Sequence, residues 1–221
     1  LILKTDAETL SLCSLSYERL GDADEKPVAE LSYDMKLWAS FNDWSGQDMQ
    51  RNGDDLIWWC EADVPAGGGE FGIKNAAMDG WYSSENNSKN IVLEEGHYMF
   101  FIELEVVDGK PVLKDEIIAE EPAYYVVGTC GNAGWAADAN AENTAYKMTE
   151  QDSKYVLTVT FTEDETVDWA ENKVAFKVAY GCGGKVANEN WFGAEGMDNV
   201  TVDPGTYTIT FDPATGAVTV E

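Results

Sequence analysis

The chain repeats itself once. Asn90-Ile-Val-Leu-Glu-Glu-Gly-His-Tyr-Met-Phe100 runs parallel to Asn199-Val-Thr-Val-Asp-Pro-Gly-Thr-Tyr-Thr-Ile209. Both read as a short apolar strand, an acidic turn ending in glycine (Gly96, Gly205) and a second strand led by tyrosine (Tyr98, Tyr207). Upstream, Phe71-Gly-Ile73 answers Phe176-Lys-Val178, and Gly80-Trp81-Tyr82 answers Asn190-Trp191-Phe192. Nearer the start of each half, Trp44 answers Trp135. The pairs keep their order while their spacing varies, so insertions sit in loops. A repeat of about 100 residues means two copies of one domain rather than a solenoid.

The 221 residues suit two such copies. The first spans residues 31–118 and closes with the hairpin around Asp108-Gly109; the second spans 122–221 and closes with the hairpin around Thr215-Gly216. Residues 1–30 form an additional strand, Thr9–Tyr17, and an acidic loop that pack on the first domain. The link ends at Pro122, which favours extended backbone before it. Strand periodicity dominates. Tyr155, Leu157, Val159 and Phe161 share one face while Thr158 and Thr160 share the other; Tyr207, Ile209 and Phe211 alternate likewise with threonines. One buried and one wetted face is the pattern of an antiparallel sandwich. The expected fold is all-β, two tandem Ig-like antiparallel β-sandwich domains. Ala136–Met148 reads as a helical turn or a long loop.

Composition narrows the chemistry. Asp and Glu number 41 against 14 Lys and Arg, a net charge of −27. Phosphate binding needs clustered cations, so a nucleic-acid groove is disfavoured, as is docking on anionic lipid. Neutral or cationic partners remain. No run of about 18 apolar residues occurs, so no membrane insertion of this stretch is expected. His97 is the only histidine, which nearly excludes His-based metal sites and Ser–His or Cys–His triads; it reads as an exposed strand residue where the second copy has Thr206. No nucleophile elbow, P-loop or HExxH appears. A glycosidase carboxylate pair is indistinguishable among 41 acids. No catalysis, cofactor or metal is expected. The acidic loops Gly21–Glu25 and Asn52–Asp55 offer grouped oxygens for calcium but match no EF-hand, and read as solvated loops.

The four cysteines (Cys13, Cys60, Cys130 and Cys182) form no CxxC pair. Two arrangements stay open: Cys130 with Cys182 as a disulfide, or buried thiols throughout. The chain carries no signal peptide and does not start with Met, which reads as a mature or excised piece of something larger.

Eight Trp, ten Tyr and eight Phe are many for this length. Trp44, Trp81, Trp135 and Trp191 lie in segments rich in Gly, Asn and Ser, not in alternating strands. A sugar ring has an apolar face of C–H groups and a rim of hydroxyls. Flat indoles stack on the first, while amides, lysines and carboxylates bond the second. A loop tryptophan also serves as a plug over the end of a core, and the repeat fits either role. Trp58 and Trp59 are adjacent on one strand, so one faces outward unless an inter-domain interface covers it. Trp38, beside Leu37, reads as core. Trp169 has no counterpart in the first copy.

Tyr124-Tyr-Val-Val-Gly-Thr-Cys-Gly-Asn-Ala-Gly-Trp135, Ala175-Phe-Lys-Val178, Asn190-Trp-Phe-Gly193 and the closing run Pro204–Val220 resemble the starch-binding β-sandwich modules of gut bacteria. The pattern is that of the outer-membrane starch-binding lipoproteins of the starch-utilisation system, and of the starch-adherence proteins of amylosomes. The resemblance is good over 122–221 and weaker over 31–118. It implies a non-catalytic, extracellular or cell-surface protein that holds α-glucan: starch, amylopectin and maltooligosaccharides. It also implies other cell-surface amylase-complex proteins as partners; a monomer is expected. In that family the loop tryptophan after the first strand forms the platform, with a second aromatic and a basic residue beside it. The carbohydrate-binding set is then Trp135, Trp191, Trp44 and Trp81, with Tyr180, Lys185, Asn188 and Lys74 around them; Lys177 is a further basic candidate. Two rivals remain. A structural or protein-binding Ig-like adhesin module requires Trp44 and Trp135 buried against neighbouring loops, and an enzyme requires a carboxylate pair in a cleft.

Overall fold

The computed structural model describes residues 34–75, 80–84, 89–108, 110–131, 143–194 and 198–221. Among them the named elements are strands and short 3₁₀ turns. Strand Thr9–Tyr17, loop Gly21–Glu25, Cys13 and Trp135 lie outside the described residues.

The first sandwich has two antiparallel sheets. One contains β1 (Met35–Ala39), β2 (Gln47–Asp48), β5 (Gly69–Asn75), β6 (Gly80–Tyr82) and β7 (Ile91–Leu93), in the order β2-β1-β5-β6 with β7 also on β5. The other contains β3 (Gln50–Arg51), β4 (Ile57–Val64), β8 (Gly96–Val107), β9 (Lys110–Leu113) and β10 (Ile118–Glu120), in the order β10-β8-β4-β3 with β9 also on β8. The second sandwich repeats the scheme. Strands β11 (Ala123–Gly128), β14 (Val174–Cys182), β15 (Lys185–Phe192) and β16 (Val200–Val202) pair as β1, β5, β6 and β7 do. Strands β12 (Thr149–Gln151), β13 (Lys154–Phe161), β17 (Gly205–Asp212) and β18 (Ala217–Val220) pair as β3, β4, β8 and β9 do.

Alternation builds both cores. Leu37, Phe71, Ile73, Phe100 and Ile102 are fully buried in the first, with Phe71 edge-on to Phe100 at 5.0 Å between centroids. Phe161, Phe176, Val178, Ile209 and Phe211 fill the second, Phe161 lying 5.4 Å from Phe176. On the wet side of β13 and β17, Thr160 and Thr206 share a hydrogen bond of 2.8 Å. At the same place in the first copy, exposed His97 bonds Asp63 at 2.8 Å and Glu61 at 3.1 Å. The repeated Gly-x-Tyr has a steric cause. A Cβ on Gly96 would come within 2.9 Å of the Tyr98 ring, and one on Gly205 within 3.3 Å of Tyr207. The tyrosine folds back over its glycine, covering exposed backbone; Tyr207 also donates to the Asp203 carbonyl at 2.9 Å.

The two sandwiches meet through a third apolar layer. Trp58 points into the first core, while Trp59, its neighbour, points the other way and is only 7% exposed. Met99, Phe101, Cys182 and Ala187 pack with it, so the interface does cover the second tryptophan. Cys60, Cys130 and Cys182 are buried thiols, which excludes the Cys130–Cys182 disulfide. Burial first, then the charge of nearby acids, pushes each thiol up to about 12.

Polar contacts fasten the same interface. Glu103 accepts from Lys185 at 2.7 Å and also pairs with Lys114. Burial alone would raise the Glu103 pKa, but its hydrogen bonds and charge pairing with the two lysines outweigh that and hold it below the usual value. A depressed folded pKa contributes stability that is complete above the unfolded value, about 4.3, and is lost as pH falls through the folded one. Glu103→Gln is therefore expected to lower the melting temperature at pH 7. The gap to the native chain should close as pH drops below about 4. A gap that stays constant down to pH 3 would contradict this.

Candidate functional site

The outer face of the β2-β1-β5-β6 sheet carries an aromatic surface. Leu37, Ile73 and Tyr82 stand in register and point inward. The alternate positions therefore point outward: Trp38 opposite Gly72, and Lys36, Lys74 and Trp81 in one row across three strands. Trp38 thus differs from its expected core place. Alternation with buried Met35, Leu37 and Ala39 sends it to the other face, half-buried.

Gly72 decides how Trp81 lies. A Cβ there would sit 2.3 Å from Cζ2 of the indole, so only glycine lets the ring rest against β5. Trp44 arrives from the loop after β1. Asn42 ties that loop to the strand, accepting from the Ala39 N–H at 3.1 Å and donating to the Leu37 carbonyl at 3.1 Å. The Trp44 N–H donates to the Ala39 carbonyl at 2.9 Å. Asp43 and Trp44 both have left-handed backbone, with φ of 55° and 54°. That conformation costs a bulky residue about 1–3 kcal/mol and persists where the surroundings enforce it, commonly at binding sites.

The resulting geometry is a pair of tilted indoles. The Trp44 and Trp81 rings lie 6.5 Å apart with 39° between their planes, and both residues are half-buried. Lys74, in the row with Trp81, holds its ammonium 5.8 Å from the Trp38 ring centroid. Lys36 is committed to an ion pair with Asp48. A wide apolar face beside an ammonium can stack on C–H groups and donate to oxygens at once.

The other candidates distribute as follows. Trp191 pairs with Ala179 on β14, the register place that Trp81 holds against Lys74. Together with Lys185 and Asn188 it lines a cleft of about 370 Å³ between the sandwiches. Lys185 is bound there to Glu103. Tyr180 is half-buried, its ring 4.7 Å from Tyr124, and packs in the interface layer. Lys177 is half-buried on β14, opposite Val127. Trp169 is 60% exposed on the 3₁₀ turn Asp168–Ala170. The structure thus gathers Trp44, Trp81 and Lys74 in one place and Trp191, Lys185 and Asn188 in another. The loop Asn52–Asp55 is organised by protein groups: Arg51 donates to the Asp54 and Asp55 carbonyls at 2.9 and 2.8 Å. Among the described residues no three His, Cys, Asp or Glu side chains converge on a metal position, and no helix is long and apolar enough to cross a membrane.

No family model and no curated protein matches the chain. A solved structure, SusF from Bacteroides thetaiotaomicron, is similar at 15% identity and a TM-score of 0.33, over 85% of this chain and 47% of that one. The chain therefore spans about half the length of that protein.

Proposed function

We propose that the chain is a non-catalytic carbohydrate-binding protein of a bacterial cell surface that holds α-glucan on the Trp44–Trp81 platform. The observation that supports this is the tilted pair itself, 6.5 Å apart at 39°, with Lys74 alongside. An α-glucan chain curves, so successive rings present faces at an angle, whereas a flat cellulose surface suits coplanar aromatics. Holding Trp44 in left-handed backbone fixes one ring before ligand arrives, which reduces the ordering cost of binding. Lys74 is placed to donate to a sugar hydroxyl, and the strong acidity elsewhere is irrelevant to a neutral ligand. Starch and maltooligosaccharides are the ligand class, and other proteins of a cell-surface amylase complex are the partners that such a module would serve.

Two indoles bury little area, so binding is weak, with Kd on the order of micromolar to millimolar. Native gel electrophoresis with amylopectin in the gel is the test, with xylan and cellulose as controls. Amylopectin alone should retard the chain, equally at low and high salt and equally in EDTA, because neither screening nor chelation touches stacking. A steep salt dependence, or retardation by xylan and cellulose in preference to amylopectin, contradicts the assignment.

A further inference from the structure

We infer that the cleft between the two sandwiches is a second carbohydrate subsite, specific for the end of a short neutral oligosaccharide and built from side chains of both halves. The inference rests on the reading of the chain as a glucan binder and extends it to a different place. The cleft's volume, about 370 Å³, is near the small end of the ~300–1,000 Å³ range of small-molecule sites. It fits a chain end, whereas the open Trp44–Trp81 face fits the middle of a long chain.

Its walls come from opposite halves. Trp191 and Asn188 of β15 form one side; Asp55, Leu56 and Ile57, leading into β4, form the other. Phe101 and Glu103 of β8 also line it. Hydrogen bonds hold the walls in place without ligand. Asn52 is only 6% exposed; its Oδ1 accepts from the Asn188 N–H at 2.6 Å, and its Nδ2 donates to the Val186 carbonyl at 3.4 Å. The Lys185–Glu103 pair crosses the same gap. Asn188 keeps its backbone engaged while the residue is exposed, as is Asp55.

The chemistry selects the ligand. An indole offers a stacking face, an amide and a carboxylate bond hydroxyls, and the two lysines of the described lining, Lys114 and Lys185, are both paired with Glu103, so neither is an unpaired cation for an anionic ligand. Glu103 is already shared by Lys114 and Lys185, which leaves Asp55 as the carboxylate that accepts from a sugar hydroxyl. Preorganised walls, one aromatic face and a few convergent polar groups are the elements of a small sugar site.

Calorimetric titration with maltotriose tests this in the full chain. In the Trp44→Ala/Trp81→Ala double variant, maltotriose should still bind with a Kd within about threefold of native. Adding Trp191→Ala should then weaken it at least tenfold, a loss typical of an aromatic anchor. Adding Asn188→Ala instead, which removes an exposed amide and leaves the Asn52 bond intact, should weaken it several-fold; this variant carries the test if Trp191→Ala does not fold. Loss of all maltotriose binding in the double variant, no maltotriose binding by the native chain, or no effect of either cleft substitution overturns the inference. The platform reading fails separately, if the double variant binds maltoheptaose as the native chain does.

Discussion

Trp81→Ala is expected to weaken α-glucan binding at least tenfold while the protein stays folded. A stacked indole is a large rigid contact, worth about 1.5–3 kcal/mol as an aromatic anchor. The ring lies on the outside of the sheet, over Gly72, so its removal uncovers a strand instead of opening a hole in the core. The melting temperature should fall by a few degrees only. Trp44→Ala should have a similar effect on binding; alanine keeps the Cβ that makes a φ of 54° costly, so the backbone strain stays and stability changes only through the lost ring contact. Gly72→Ala separates position from identity. Both tryptophans remain, but the new methyl occupies space that the Trp81 indole now fills, so the ring must move. Binding should fall with the platform residues intact. Native affinity in Gly72→Ala would mean that the placement of Trp81 does not matter.

Phe176→Ala should have the opposite signature, a folding defect. Phe176 is fully buried between the sheets of the second sandwich, against Phe161. Truncating a core phenylalanine costs about 3–5 kcal/mol through lost transfer energy and a residual cavity. Total stability of a domain is about 5–15 kcal/mol. The melting temperature should fall on the order of 10 °C, at about 2–4 °C per kcal/mol for a chain of this size, or the second sandwich should fail to fold. Thermal denaturation read by far-UV circular dichroism measures it. A shift of less than about 2 °C would mean that the β14 face is not packed as described.

The fold is legible in the sequence because alternation and repetition are local patterns. Tyr155 to Phe161 and Tyr207 to Phe211 state which side is wet, and the Gly96-x-Tyr98 and Gly205-x-Tyr207 turns fix corresponding strand starts in both halves. Trp38 is misread by its proximity to Leu37, although strict alternation places neighbours on opposite faces. The interface layer leaves a subtler trace. Ile57 to Cys60 and Tyr98 to Ile102 are apolar without alternation, as strands buried on both sides are. What occupies the second side is not a local property: it depends on Cys182 and Ala187, more than eighty residues away from Met99 in sequence. Charge pairs are non-local in the same way: nothing near Lys185 in the sequence shows that the fold brings Glu103 to it. The tilt between Trp44 and Trp81 depends on Gly72 and on the left-handed turn at Asp43, and no spacing rule in the sequence supplies that angle.

The most direct measurement is an indole-resolved titration. The eight tryptophan side chains each give one indole N–H resonance in a ¹H–¹⁵N spectrum, assignable by single replacements. On addition of maltoheptaose, the Trp44 and Trp81 resonances should move together along one binding curve. Those of Trp58 and Trp59, buried in the core and in the interface, should stay in place. Resonances of Trp44 and Trp81 that stay fixed while the chain binds the glucan elsewhere would contradict the account.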